Sequence, residues 1–364
     1  MNHDDSVLLH TEGRVRHITL NRPHALNALT HAMVRRIDAA LAEAEADDSV
    51  TAVLITGAGE RGLCAGGDIR WIHDDARAGV GAAMDFWRDE YRLNARIARF
   101  PKPYVAIMDG ITMGGGVGVS AHGSVRVVTE RSRVAMPETA IGFVPDVGGT
   151  YLLGSAPGEL GTHLALTADA VGAADALLCG LADHFVRAQR LPGLTTALAG
   201  CGTAAEIERT VRRHASPAPS GELAAHREWI DSCYRADTVE EILDRLDNSG
   251  VPAAKQAAAT IAAKSPTALK VTLAALRRAR RLPGLEAALD QEFRTSCVAY
   301  ARPDLVEGVR AQIIDKDRSP RWTPAELAEV SEDEVALFFA PLGARELGLD
   351  PGSRTTGRGS RTTD

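Results

Sequence analysis

The chain has 364 residues, 45% of them hydrophobic and 24% charged, which predicts one large α/β core carrying a substantial extra segment. With 41 basic against 48 acidic residues, the net charge of -7 offers no field for a polyanion. Nucleic acid is therefore excluded as the main partner, while a phosphate-bearing small molecule can still be held at a helix N-terminus.

In chain order, β-branched runs predict strands over 15–20, 50–56, 104–108 and 125–129. Between the first two, Thr30 is placed to cap a helix whose Met33, Val34, Ile37 and Leu41 recur at helical steps. After about residue 190 the pattern becomes Ala-rich and helical, broken by Pro/Ser-containing 216–221 and by 248–252. Leu285, Ala288, Leu289 and Phe293 form an apolar stripe on a helix expected over 284–299. From Asp350 onward no apolar residue occurs, which predicts a disordered tail. The expected organisation is a core over 1–205, a helical region over 206–345 and a tail over 350–364.

The five cysteines lack any Cys-x-x-Cys spacing and read as reduced, structural thiols. The acidic start MNHDDSVLLH has no basic stretch leading into an apolar run, and no apolar run reaches the roughly 18 residues of a membrane span. A cytoplasmic protein that does not engage a membrane is expected.

Several chemistries are excluded by inspection. No Gly-Lys pair is available for a nucleotide triphosphate loop. The eleven histidines are scattered and form no ligand cluster, so no metal is expected. In Gly118-Val119-Ser120-Ala121-His122, His122 occupies the position that a nucleophile elbow needs as glycine. What remains is two glycine clusters, CAGGDIR at 64–70 and DGITMGGGVG at 109–118, each following a predicted strand. Such clusters let a backbone N–H approach a ligand that a Cβ would hold away. If the second opens a helix, its first N–H groups lie at the positive end of the dipole. Two such donors make an oxyanion hole; each cluster alone is equally an ordinary strand-to-helix turn.

NRPHALNAL (21–29), CAGGDIR, KPYVAIMDGITMGGGVG (102–118) and AMPETAIGFVPDVGGTYLL (135–153) occur in an order and spacing that resemble the enoyl-CoA hydratase/isomerase, or crotonase, superfamily over about residues 7–187. The resemblance implies an α/β fold with a ββα spiral core, and amides of Gly67 and Gly115 that bind a thioester oxygen. It also implies that Ala65, Gly66 and Asp68 lie along the pantetheine arm, and that Ala25 and Leu26 contact the CoA nucleotide. Hydratases of the superfamily use two glutamates. The first falls at Gly118 and is missing; the second matches Glu138.

Asp146 stands where typical hydratases carry glycine. With Glu90 in Asp89-Glu90-Tyr91 and the distal EGVRAQIIDKDRSPRW (307–322), it makes the chain similar to the 3-hydroxyisobutyryl-CoA hydrolase family, which also accounts for an extended helical C-terminal segment. That resemblance implies hydrolysis of a short 3-hydroxyacyl-CoA thioester, as in valine catabolism. Glu138 would attack the carbonyl or activate water, Asp146 would orient the reacting group and handle protons, and Glu90 would bind the 3-hydroxyl. Such a reaction needs a base or nucleophile and a proton source for the thiolate, which two carboxyls with separated pKa values can supply. Competing readings are hydration or isomerisation by the same superfamily, and a non-catalytic CoA-ester binding module. No cofactor beyond the CoA of the substrate is expected, a homo-oligomer is left open, and His122 and Trp71 are expected to serve packing.

Overall fold

The structure is a computed structural model that describes residues 3–350. Its strands are β1 (Val7–Glu12), β2 (Val15–Leu20), β3 (Ala52–Gly57), β4 (Gly62–Cys64), β5 (Tyr104–Met108), β6 (Ile111–Met113), β7 (Val125–Val128), β8 (Arg133–Ala135) and β9 (His184–Phe185). Six of them form a sheet in the order β1-β2-β3-β5-β7-β9, antiparallel between β1 and β2 and parallel thereafter. β4, β6 and β8 form a second, parallel sheet. Each of β3, β5 and β7 is thus followed by a short strand in the other sheet, and the repeated step builds a ββα spiral.

The large sheet is covered on both faces, so its central strands are apolar at successive positions rather than alternately. Tyr104, Ala106 and Met108 enter one apolar cluster while Val105 and Ile107 enter another, as the two-residue period of a strand requires. The smaller cluster is closed by Leu194, Leu198, Ile207 and Val211 from the helices Leu191–Ala199 and Ala204–His214. The larger takes in Met33, Val34, Ile37 and Leu41 of the helix His31–Ala46, which Thr30 caps by accepting from the Met33 amide at 3.3 Å.

Beyond β9 no further strand occurs among the described residues. The helix Leu285–Tyr300 packs against the helix Ala82–Ala98, and Leu285, Leu289 and Phe293 join the same cluster as the strands. That cluster runs from Val7 to Leu347, so the helical region shares one interior with the spiral. The expected disordered tail starts at Asp350, the last described residue, and the remainder lies outside the described residues. No described helix is long and apolar enough to cross a membrane.

Candidate active site

In the small sheet Cys64 is in register with Thr112 and Met113 with Ala135, so the C-terminal ends of β4, β6 and β8 stand side by side. The chain leaves β4 through Ala65, Gly66 and Gly67, β6 through Gly114 and Gly115, and β8 through Met136, Pro137 and Glu138. Carboxyl ends of parallel strands are where α/β folds place ligands. Here the three exits border a cavity of about 290 Å³. Phe86, Trp87 and Glu90 of the helix Ala82–Ala98 form another wall, with Asp146, Leu305, Gln312 and Ile313 completing it.

A Cβ on Gly115 would stand 3.2 Å from the Gly67 nitrogen and 2.6 Å from Glu90 Oε1, and one on Gly66 would stand 3.7 Å from the Gly115 nitrogen. A side chain at 115 would fill the space between acid and amides, so glycine is required there. Neighbouring amides are satisfied: Leu29 donates to the Gly66 carbonyl at 2.8 Å, Asp68 to Leu29 at 2.8 Å, and Gly114 to Ala135 at 3.2 Å. The N–H groups of Gly67 and Gly115 donate to nothing among the described residues. Gly115 is buried and Gly67 half-buried; unpaired backbone donors are rare away from water, so two adjacent ones facing a cavity are free to bind an oxygen atom there. The helix that Gly115 opens, Gly115–Gly118, is a single turn, and the dipole expected from a longer helix is correspondingly weak.

Three carboxyls face the same cavity, with Glu90 1% exposed and Glu138 and Asp146 each 6%. Glu90 Oε1 and Glu138 Oε2 have no hydrogen-bond partner. Burial, and then the neighbouring Asp146 charge, hold both glutamates well above the usual carboxylate range. Burial also raises Asp146, to about 7, against the Tyr91 hydroxyl, which donates to its Oδ2 at 2.7 Å and favours the charged form. Among the described residues, no lysine or arginine lines the cavity.

The 146–150 turn is held by residues that sequence reasoning missed. The fully buried Glu292 accepts from the amides of Gly148 at 2.6 Å and Thr150 at 2.8 Å and from the Thr150 hydroxyl at 2.5 Å, and burial pushes its own carboxyl up to about 8. Ser296, one turn further along that helix, lies 2.7 Å from the Tyr91 hydroxyl. A signal existed: Glu292 and Ser296 fall three and seven residues after Leu289, on the apolar stripe of their helix, where a charged or polar residue is out of place unless it has a buried partner. His122, expected only to pack, donates from Nε2 to the Val147 carbonyl at 2.7 Å. Burial lowers its pKa to about 4, so the ring is neutral with its proton on that nitrogen. This bond braces Val147, whose φ of 52° is costly for a β-branched residue.

A family model for enoyl-CoA hydratase/isomerase matches residues 15–339. The chain belongs to the enoyl-CoA hydratase/isomerase family. It is 43% identical over 357 residues to chicken (Gallus gallus) "3-hydroxyisobutyryl-CoA hydrolase, mitochondrial", covering 95% of this chain and 92% of that one. It is 42% identical over 358 residues to the human (Homo sapiens) protein of the same name, covering 94% and 90%. Among solved structures, a carnitinyl-CoA dehydratase from Mycobacterium thermoresistibile superimposes with a TM-score of 0.91 at 52% identity, covering 95% of this chain and 99% of that one.

Within this family fold, Ala65, Gly66, Gly67, Gly115, Glu90, Glu138 and Asp146 come together as expected neighbours of one cavity. Asp68, Ala25 and Leu26 do not line it. Asp68 is turned away into an ion pair with Arg22 at 2.9 Å, and Leu26 accepts from the Ala65 amide at 3.0 Å, so this loop braces the glycine segment from behind. Trp71, expected to pack, is 39% exposed and meets only the edge of Phe86 within the aromatic set, at 6.1 Å. The Cys64 thiol is buried and pushed up to about 12, the state of an inert structural cysteine. The histidines are less scattered than the sequence implied: the β1–β2 hairpin gathers His10, Glu12 and His17, away from the cavity lining.

Proposed function

We propose that the chain hydrolyses the thioester of a short 3-hydroxyacyl-CoA, with 3-hydroxyisobutyryl-CoA as its substrate and 3-hydroxyisobutyrate and CoA as products. The observation that carries this reading is the pair of unpaired amides, Gly67 and Gly115, facing the same small cavity as Glu90, Glu138 and Asp146. A thioester oxygen set between the two N–H groups makes the carbonyl carbon electrophilic and stabilises the tetrahedral oxyanion. One such donor typically contributes about a hundred- to a thousandfold in rate. A cavity of about 290 Å³ suits a short acyl group with its thioester and leaves the nucleotide outside.

Glu138 and Asp146 supply the proton chemistry. One carboxylate either takes a proton from the attacking water or itself adds to the carbonyl carbon; when the C–S bond breaks, the other carboxyl protonates the sulfur, and in the second case it then takes a proton from a water that cleaves the acyl-enzyme anhydride and frees the hydroxy acid. Burial holds both carboxyls toward the protonated form, so whichever acts as base or nucleophile first passes its proton to the other or out of the cavity. Glu90, with a free Oε1 beside Gly115, accepts from the 3-hydroxyl of the acyl group.

The name of the Mycobacterium relative favours a second reading, water addition or removal at a carbon–carbon bond. That chemistry, run by a glutamate pair, needs an acid at position 118. A Cβ there would lie 2.8 Å from Val147 Cβ and 2.9 Å from Asn94 Nδ2, which leaves no room for one. Incubation with 3-hydroxyisobutyryl-CoA, crotonyl-CoA and a 3-enoyl-CoA, monitored for free thiol and for ultraviolet absorbance of the enoyl group, separates the possibilities. Thiol release from the first ester alone is expected; double-bond chemistry without thiol release would overturn the proposal.

A further inference from the structure

On the edge of the large sheet, His10 of β1 sits directly opposite His17 of β2, and Glu12 follows His10 on the same face. One donor atom from each residue lies within 4.8 Å of the other two. The imidazoles stack with centroids 4.3 Å apart and planes 25° from parallel, and His17 Nε2 stands 3.9 Å from Glu12 Oε2. His17 is only 5% exposed, yet its Nε2 has no hydrogen-bond partner. The buried nitrogen therefore carries either a lone pair or an unmet proton beside the space between the three side chains. Nearby cations point elsewhere: Arg16 donates to Thr11 and Glu43, and Arg14 to the Asp48 carbonyl.

We propose that the β1–β2 hairpin is a binding site for a divalent transition-metal ion of the zinc class, held by His10, Glu12 and His17. Two imidazoles and a carboxylate match the borderline-soft preference of zinc and its neighbours and leave a fourth position for water. His17 is fixed by burial, whereas His10 and Glu12 are exposed and can turn out of the stacked arrangement until all three donors reach the roughly 2.0–2.2 Å of a zinc bond. Because the two strands are already paired, little chain ordering is left to oppose binding.

The test uses the full chain stripped with EDTA and titrated with zinc chloride in a calorimeter, with histidine ¹⁵N NMR as a second readout. One ion per chain and a shift of the His17 ring nitrogens are expected. Because loss of even outer partners typically weakens metal sites about 10- to 100-fold, His10→Ala and Glu12→Gln, both on the exposed side, are each expected to weaken binding at least about tenfold. His10→Ala should leave thiol release from 3-hydroxyisobutyryl-CoA at the parental rate. Binding weaker than about 1 mM, or zinc binding that both substitutions leave unchanged, would overturn the assignment; neither result would bear on thioester hydrolysis.

Discussion

Tyr91 bears on the proton balance of the cavity, because its hydroxyl donates to Asp146 and favours the charged form of that carboxyl. Tyr91→Phe removes a donor to the charged form and raises the Asp146 pKa further. With a hydrogen bond contributing about 0.5–1.5 kcal/mol, the pH midpoint of thiol release is expected to move up by as much as about one unit, with kcat falling more than KM changes. Glu138→Gln keeps the shape of the side chain and is expected to lower turnover by at least about a hundredfold while CoA-ester affinity is retained. Near-parental turnover in a steady-state assay would remove Glu138 from the mechanism. At this scale the motifs marked where Gly67, Gly115, Glu90, Glu138 and Asp146 stand in the chain. They did not mark direction: Asp68 and Leu26 sit within the same motifs yet bond to the backbone and side chains behind the glycines.

Among the elements, the decisive ones are the shortest. β4, β6 and β8 have three residues each, too few for an alternating pattern to register, so the sheet that aligns the three glycine and glutamate exits could not be read from the chain. The longer strands were legible as runs of β-branched residues, and the helix after Thr30 because its buried positions repeat at helical steps. The helix Leu285–Tyr300 was legible as an apolar stripe but not as the support of a turn nearly 150 residues earlier, since pairing Glu292 with Gly148 and Thr150 is a tertiary fact. Replacing Glu292 with Gln turns one acceptor into a donor facing donors. A loss of about 1–3 kcal/mol in a denaturant titration is expected, together with lower activity, because buried groups left unmatched cost that much. His122→Ala should weaken the same turn, seen as a lower Tm.

For the whole molecule, Glu90, Glu138, Asp146 and Glu292 share one interior, and all have folded-state pKa values above those of the unfolded chain. Below about pH 4 both states hold these protons; above it the unfolded chain releases them first, so this contribution to stability falls as pH rises through the folded values. Glu90→Gln, which cannot ionise, should gain Tm relative to the parent as pH rises from about 5 to about 9. A constant difference would mean that the carboxyl is already charged in the fold. The helical region read as a separate stretch because its Ala-rich periodicity differs from the pattern of the strands, although Leu305 and Ile313 complete the same cavity.

That no described lysine or arginine lines the cavity has a consequence for turnover. Hydrolysis converts an uncharged acyl group into an anion in a largely buried site that offers it no counter-ion among the described residues, so the product is held less well than the group it came from. The free hydroxy acid should accordingly be a poor inhibitor, poorer still in alkali, where the neighbouring carboxyls ionise and repel it.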